Sequence, residues 1–229
     1  MEVTHEFDIV EMDCATPRFQ KGQRKIDSEG IYDLDSNNCL VVVHNAIDPE
    51  DIDYVIEQEI KNKRYRPQIR GHFIPRLQMC YTNDGEPLFY SGVHHHSIKY
   101  PDHAIDISNL MMEILQEQVP VEEYKVLSDG ISLVYSKDVE RGGYITAHGD
   151  MINRDWGIIC IFSLGQARWM RFRRNSDGEY INVKLRHNSF VYMVGENFQK
   201  LYTHQIDKFK DDDEVGDRLS INVRWTRKK

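Results

Sequence analysis

The 229-residue chain contains no run of about 18 consecutive apolar residues, which excludes a conventional membrane-spanning helix. Its opening, Met1-Glu2-Val3-Thr4-His5-Glu6, lacks a basic start and an apolar stretch behind it, so no secretory leader is expected. We therefore expect an intracellular protein, cytoplasmic or nuclear, with no membrane partner, and acting as a monomer. Cysteine is sparse: Cys14, Cys39, Cys80 and Cys160 include no Cys-x-x-Cys pair, which removes a thiolate zinc site and a disulfide framework from consideration. Positive charge is also short. A formal net charge of -8 argues against coating nucleic acid through bulk electrostatics. The basic residues present are clustered, with Lys61, Lys63, Arg64, Arg66, Arg70 and Arg76 close together and Arg168, Arg171, Arg173 and Arg174 forming a second group. Each cluster admits two readings, a face that holds a polyanion or solvated charge balanced by neighbouring acids.

What is present is enough apolar residue, 40%, for one sizeable core. Residues 1–38 are polar and weakly periodic and read as an arm or extension, leaving residues 39–229 as a single domain. Leu40 to His44 is a β-branched run that reads as a buried strand. Asp48 then offers an N-cap with Pro49 at the first helical position, and Ile52, Val55, Ile56 and Ile60 follow on one helical face. Leu77 to Tyr81 and Leu88 to Gly92, separated by Asn83-Asp84-Gly85, read as a hairpin. A second helix is expected from about Ala104 to Val119, with Ile107, Leu110, Met111, Ile114 and Leu115 inward. From Gly130 the pattern changes to short strands: Ile131 to Tyr135, Gly143 to His148, Trp156 to Ser163, Ala167 to Arg173, Glu179 to Leu185, Ser189 to Met193, Leu201 to Ile206 and Arg218 to Trp225. Closely spaced short strands with Gly, Asn and Asp turns indicate an antiparallel sandwich or jelly roll, so the fold class is mainly β with N-terminal α/β additions.

The chemistry concentrates at Ala147-His148-Gly149-Asp150. Side chains two apart on an extended backbone leave the same face, so His148 and Asp150 converge. An imidazole and a carboxylate make two thirds of the facial triad of non-haem Fe(II) oxygenases, and a third ligand is required. Downstream stand His187, between strands in Arg186-His187-Asn188-Ser189, and His204, inside Tyr202-Thr203-His204-Gln205-Ile206. The strand position favours His204. In the last strand Arg218, Ser220, Asn222 and Arg224 alternate with Leu219, Ile221, Val223 and Trp225, one face polar and the other apolar. A solvent-facing outer strand has the same pattern. Two guanidiniums on one face are, equally, partners for a carboxylate held away from bulk water. His94, His95 and His96 point alternately on a strand and so read as surface or partner-contact residues rather than a second metal site.

This set, His148-x-Asp150, a distal His204 and Arg218-x-Ser220-x-Asn222-x-Arg224, resembles the AlkB-type Fe(II)- and 2-oxoglutarate-dependent dioxygenases in order and spacing. Ser163-Leu164-Gly165 and Leu185-Arg186-His187-Asn188-Ser189 match further. The resemblance implies a double-stranded β-helix (jelly roll) core over residues 130–229, supporting helices, and a nucleotide-recognition lid over residues 66–98 built on a hairpin. It implies that His148, Asp150 and His204 hold Fe(II). Arg218 would pair with the distal carboxylate of 2-oxoglutarate, with Tyr135, Ser220 and Asn222 as neighbours, and Arg224 near the metal end. Tyr90 would stack on a flipped base opposite the His148 ring, with Tyr81 and Arg76 also on the substrate side. The implied reaction consumes O2 and 2-oxoglutarate, releases succinate and carbon dioxide, and removes an N-methyl group from alkylated DNA or RNA as formaldehyde. The chain departs from the family at Leu133, where an Asn is frequent, and at Met151 and Ile152, where base-demethylating members often carry another acid. Two other readings stand beside this one: a 2-oxoglutarate oxygenase of a protein or small molecule, and a non-catalytic jelly-roll binding module.

Overall fold

The computed structural model describes residues 25–69, 71–121, 126–136, 143–150, 156–208 and 216–226. In chain order its elements are β1 (Lys25–Ile26), β2 (Gly30–Asp33), β3 (Cys39–His44), α1 (Pro49–Lys61), β4 (Gln68–Ile69), β5 (His72–Phe73), β6 (Leu77–Thr82), β7 (Leu88–Tyr90), β8 (Val93–His95), β9 (Ser97–Lys99), α2 (Asp102–Gln118), β10 (Val126–Tyr135), β11 (Ile145–His148), β12 (Trp156–Gly165), β13 (Arg168–Arg174), β14 (Tyr180–Leu185), β15 (Ser189–Val194), α3 (Phe198–Leu201), β16 (Tyr202–Ile206) and β17 (Arg218–Thr226). A large sheet runs β2-β3-β15-β12-β17-β10-β6-β9 and a small one β1-β14-β13-β16-β11. All eight strands expected after residue 130 are present. The two sheets face each other as a jelly roll, the expected fold class.

Alternation decides what fills each layer. Val42, Ile161 and Val191 of the large sheet meet Phe172, Val183 and Ile206 of the small one in the inter-sheet core. The opposite face of the large sheet, with Cys160, Phe162, Phe190 and Val223, is covered by Ile52 and Val55 of α1 and Ile107, Met111 and Leu115 of α2. Strand β12 is therefore apolar on both faces, which explains the unbroken run Ile158 to Phe162. Burying Met111 and Leu115 contributes roughly 1.5–3 kcal/mol each, so the two helices depend on this sheet for most of their stability. No described helix is long and apolar enough to cross a membrane.

Four expectations need correction. First, β6 does not pair with β7. Strand β6 lies in the large sheet between β10 and β9, and β7 pairs with β8 through a two-residue turn at Ser91 (φ 52°) and Gly92 (φ 79°). Two successive positive φ angles give the turn whose twist suits a hairpin, and Ser-Gly was its signal. Second, the buried stripe of α1 ends on Glu59, whereas Ile60 is 72% exposed. Third, residues 25–38 are not a loose arm: β1 joins the small sheet beside β14, β2 joins the large one beside β3, and Ile26, Tyr32 and Leu34 are buried. Residues 1–24, with Cys14, lie outside the described residues. Fourth, His95 is a core residue. It is buried, its ring is stacked on Tyr90 at 3.6 Å, and it accepts a hydrogen bond from Gln78 Nε2 at 3.0 Å on Nδ1. His94 and His96 point the other way and are exposed.

Candidate metal centre and its cavity

Strands β11 and β16 pair so that His148 lies directly across from His204, with ring centroids 4.3 Å apart. The pairing slips by one residue between Ile145 and His148, and such a bulge re-aims the side chain at its end. Gly149 turns the chain toward Asp150. A Cβ there would overlap the backbone carbonyl of Gln199, so glycine is required, and the Asp150 N–H donates to Gln199 Oε1 at 2.9 Å. The result is a cluster in which one potential ligand atom from each of His148, Asp150 and His204 lies within 4.8 Å of the others.

The hydrogen bonds determine what each ligand presents. His148 Nδ1–H donates to Thr146 O at 2.8 Å, which leaves Nε2 as a lone pair facing Asp150 Oδ1 at 3.4 Å. Two acceptors aimed at each other repel unless a cation or a proton lies between them. Asp150 Oδ2 is occupied by Arg224, at 2.9 Å from Nη2 and 3.3 Å from Nε. Burial raises the Asp150 carboxyl, but Arg224 and the two histidines overcome it and hold it well below the usual carboxylate range. Burial, aided by His148 and Arg224 and opposed by Asp150, pushes His204 down to about 3, so its imidazole is neutral, and among the described residues its buried Nδ1 has no hydrogen-bond partner. Two imidazoles and one carboxylate suit a divalent first-row metal.

Strand β17 resolves the ambiguity of its two faces. Its apolar side packs under the helices, and its polar side points into the space between the sheets, where Arg218, Ser220, Asn222 and Arg224 are all buried. Arg218 is 1% exposed, and its Nε donates to Ser163 Oγ at 2.9 Å. Among the described residues neither Nη group has a hydrogen-bond partner, and burial pushes the guanidinium down to about 10. Tyr135, its cross-strand neighbour, places its ring 5.0 Å from the Arg218 Cζ. A buried planar cation with an open fork fits a carboxylate, which is what 2-oxoglutarate would bring. Ser220 and Asn222 line the same space but are already committed: Ser220 Oγ donates to Asn222 Oδ1, and Asn222 Nδ2 donates to Ile131 O, each at 3.1 Å.

These groups line one cavity of about 620 Å³, which also reaches Tyr90 and Arg76. Tyr90 is fixed there, backed by His95 and donating its hydroxyl to Gln78 Oε1 at 2.9 Å. Arg76 has a buried Nε without a partner among the described residues. Tyr81 is not brought to the cavity. It faces the opposite side of β6, fully buried, and donates to Glu59 Oε1 at 2.8 Å. The expectation that Tyr81 meets substrate is therefore corrected: Gln78 and Cys80 take the inward positions of that strand, and alternation turns residue 81 outward. His187 is also elsewhere, with Nδ1 accepting from the Gly165 N–H at 3.0 Å. Met151 and Ile152 lie outside the described residues. Sequence reasoning missed Gln199 and Asp129, the latter lining the cavity and bound to Arg224 at 3.1 Å. Only the Ser128-Asp129-Gly130 break before a strand hinted at it.

A family model described as the 2OG-Fe(II) oxygenase superfamily matches residues 39–224. A solved structure of OsALKBH1 superposes with a TM-score of 0.56 at 14% identity, covering 81% of this chain and 97% of that one. The crystal structure of an oxidoreductase of the 2OG-Fe(II) oxygenase family from Burkholderia pseudomallei gives a TM-score of 0.61 at 12% identity, covering 91% and 97%. At such identities these two establish similarity of fold. No curated protein matches the sequence.

Proposed function

Because the chain belongs to the 2OG-Fe(II) oxygenase superfamily, we propose that it is an Fe(II)- and 2-oxoglutarate-dependent oxidative demethylase of N-alkylated nucleobases in DNA or RNA. The observation that carries this reading is the single cavity running from His148, Asp150 and His204 to Tyr90 and Arg76. An aromatic wall, a cation and the metal ligands share one enclosure, as a base taken out of its stack requires. The fold shared with OsALKBH1 is consistent with it.

Fe(II) with 2-oxoglutarate and O2 would supply the oxidant, turning an N-methyl into an N-hydroxymethyl group that leaves as formaldehyde, while 2-oxoglutarate becomes succinate and carbon dioxide. The protein's own groups bind and orient. His148 offers Nε2 because Thr146 holds Nδ1–H, and Arg224 leaves Asp150 Oδ1 for the metal. Arg218 takes the distal carboxylate on its two open Nη groups beside Tyr135. Ile131, Leu133 and Ile161 exclude water along that wall. Tyr90 presents a ring to the substrate, and Arg76 offers a donor to an anionic group next to it.

The test is formaldehyde release from a panel of N-methylated DNA and RNA oligonucleotides, with Asp150→Ala as control. Product from at least one oligonucleotide and none from the control supports the reading. Succinate without formaldehyde across the panel removes the nucleobase and leaves an oxygenase. A second reading, an oxygenase of an uncharged small molecule, is favoured by the aliphatic wall of Ile69, Ile74, Leu88 and Ile145 and by the net charge of -8. It predicts that second outcome.

A further inference from the structure

Asp129 is 2% exposed and lies where the β10–β17 pairing slips by one residue: Leu127 is opposite Trp225, but Gly130 is opposite Val223. An extra residue in one strand changes the side to which its neighbours point. Leu127 packs on the helical side of the large sheet, whereas Asp129 emerges on the cavity side with Ile131, Leu133 and Tyr135. There its Oδ1 accepts from Arg224 Nη1 at 3.1 Å, and its Oδ2 accepts from Ser128 Oγ at 3.1 Å. Across the same guanidinium, Nη2 and Nε hold Asp150 Oδ2. One planar fork is thus shared by two carboxylates, and only Asp150 belongs to the metal cluster.

This arrangement has an electrostatic consequence. A metal ion and the guanidinium both draw on the Asp150 carboxylate. In a buried, poorly screened position an uncompensated guanidinium charge would weaken Asp150 as a ligand and repel the ion. Asp129 cancels that charge and fixes the rotation of the fork, so that Oδ2 is the engaged oxygen and Oδ1 remains toward His148. We infer that Asp129 is a positioning residue that sets the metal affinity of the centre by holding Arg224 against Asp150 and neutralising it there. The inference rests on the metal reading of the cluster and is independent of the substrate.

Titration of Mn(II), a redox-stable stand-in for Fe(II), into the full chain by calorimetry tests it without turnover. Asp129→Asn, which keeps the shape and removes the charge, is expected to weaken Mn(II) binding about 10- to 100-fold, the range for residues behind a metal ligand. Asp129→Glu should recover part of the loss. In an Arg224→Met background, Asp129→Asn should cause little further loss, because its effect passes through Arg224. Wild-type affinity in Asp129→Asn, or an equal loss in both backgrounds, overturns the inference. Failure of the unaltered chain to bind Mn(II) overturns the metal reading beneath it. If circular dichroism shows Asp129→Asn unfolded, Ser128→Ala, which removes only the hydroxyl on Oδ2, should weaken binding several-fold, and unchanged affinity there counts against the role.

Discussion

Two buried carboxylate clusters flank the same strand and differ in one respect. On the helical side of β10, Glu59 is fully buried and accepts from His103 Nε2 at 2.8 Å, Ser132 Oγ at 2.5 Å, Tyr81 at 2.8 Å and Arg64. On the cavity side, flanked by Ile131 and Leu133, Asp150 and Asp129 share Arg224, while both Arg218 Nη groups and His204 Nδ1 have no partner among the described residues. Around Glu59 the carboxylate's capacity is used within the fold. Around Asp150 part of the donor and acceptor capacity is left open. Burial of charge thus marks both clusters, and Arg64 Nε is without a partner among the described residues in the first as well; what distinguishes the second is that its unpartnered groups, on Arg218 and His204, line a cavity.

The sharpest separation of the two is His204→Ala, which should abolish metal binding and turnover while leaving the thermal midpoint of the metal-free chain nearly unchanged; elemental analysis with a melting curve checks it. A stable metal complex without His204 would break the contrast. Next in size, Glu59→Ala should destabilise the fold by about 3–5 kcal/mol, because it strands Arg64 and its neighbours, yet Mn(II) affinity of the folded fraction should stay at the wild-type value. The same cluster sets a pH dependence. Burial raises the Glu59 carboxyl, but His103, Ser132, Arg64 and Tyr81 together carry it below its ordinary 4.5. A depressed folded-state value stabilises above the unfolded one and is lost as pH falls, so urea midpoints should drop below pH 4.5 more steeply in wild type than in Glu59→Gln. Arg218→Met should cancel the stabilisation that 2-oxoglutarate confers on the metal-loaded chain, about 2.7 kcal/mol at a hundredfold excess over Kd, or roughly 5–10 °C, without lowering the midpoint of the chain alone. The smallest effect belongs to Tyr81→Phe, a loss of about 1 kcal/mol with unchanged kinetics, against a raised substrate KM for Tyr90→Ala.

The strands after residue 130 were legible because residues pointing to a core alternate or, in β12, run unbroken. The candidate ligands were legible from His148-Gly149-Asp150 and from the strand context of His204. What stayed hidden was direction. The polar face of β17 has the same pattern whether it meets water or a cavity, and only the small sheet laid over it decides. Tyr81 and Tyr90 were both expected on the substrate side, but a strand's phase sends one under the helices and the other to the cavity. Glu59 takes the place that periodicity assigned to Ile60, because a charge can be buried where four partners converge, and those come from α2, β6, β10 and the segment after α1. Asp129 and Gln199 reach the centre through a bulge and a short helix, which local patterns do not announce.

Gly149 couples the candidate metal ligands mechanically. It presses against the carbonyl of Gln199, whose side chain also holds the Asp150 N–H, and Gln199 lies in α3, which runs directly into the strand bearing His204. The two halves of the centre are therefore geared together here as well as through the β11–β16 pairing. A methyl group at position 149 would act as a wedge, driving α3 away and shifting Asp150 and His204 in the same movement. Spacing between candidate ligands from distant parts of the chain thereby comes to depend, beside the β11–β16 pairing, on the clearance between a glycine and one carbonyl oxygen.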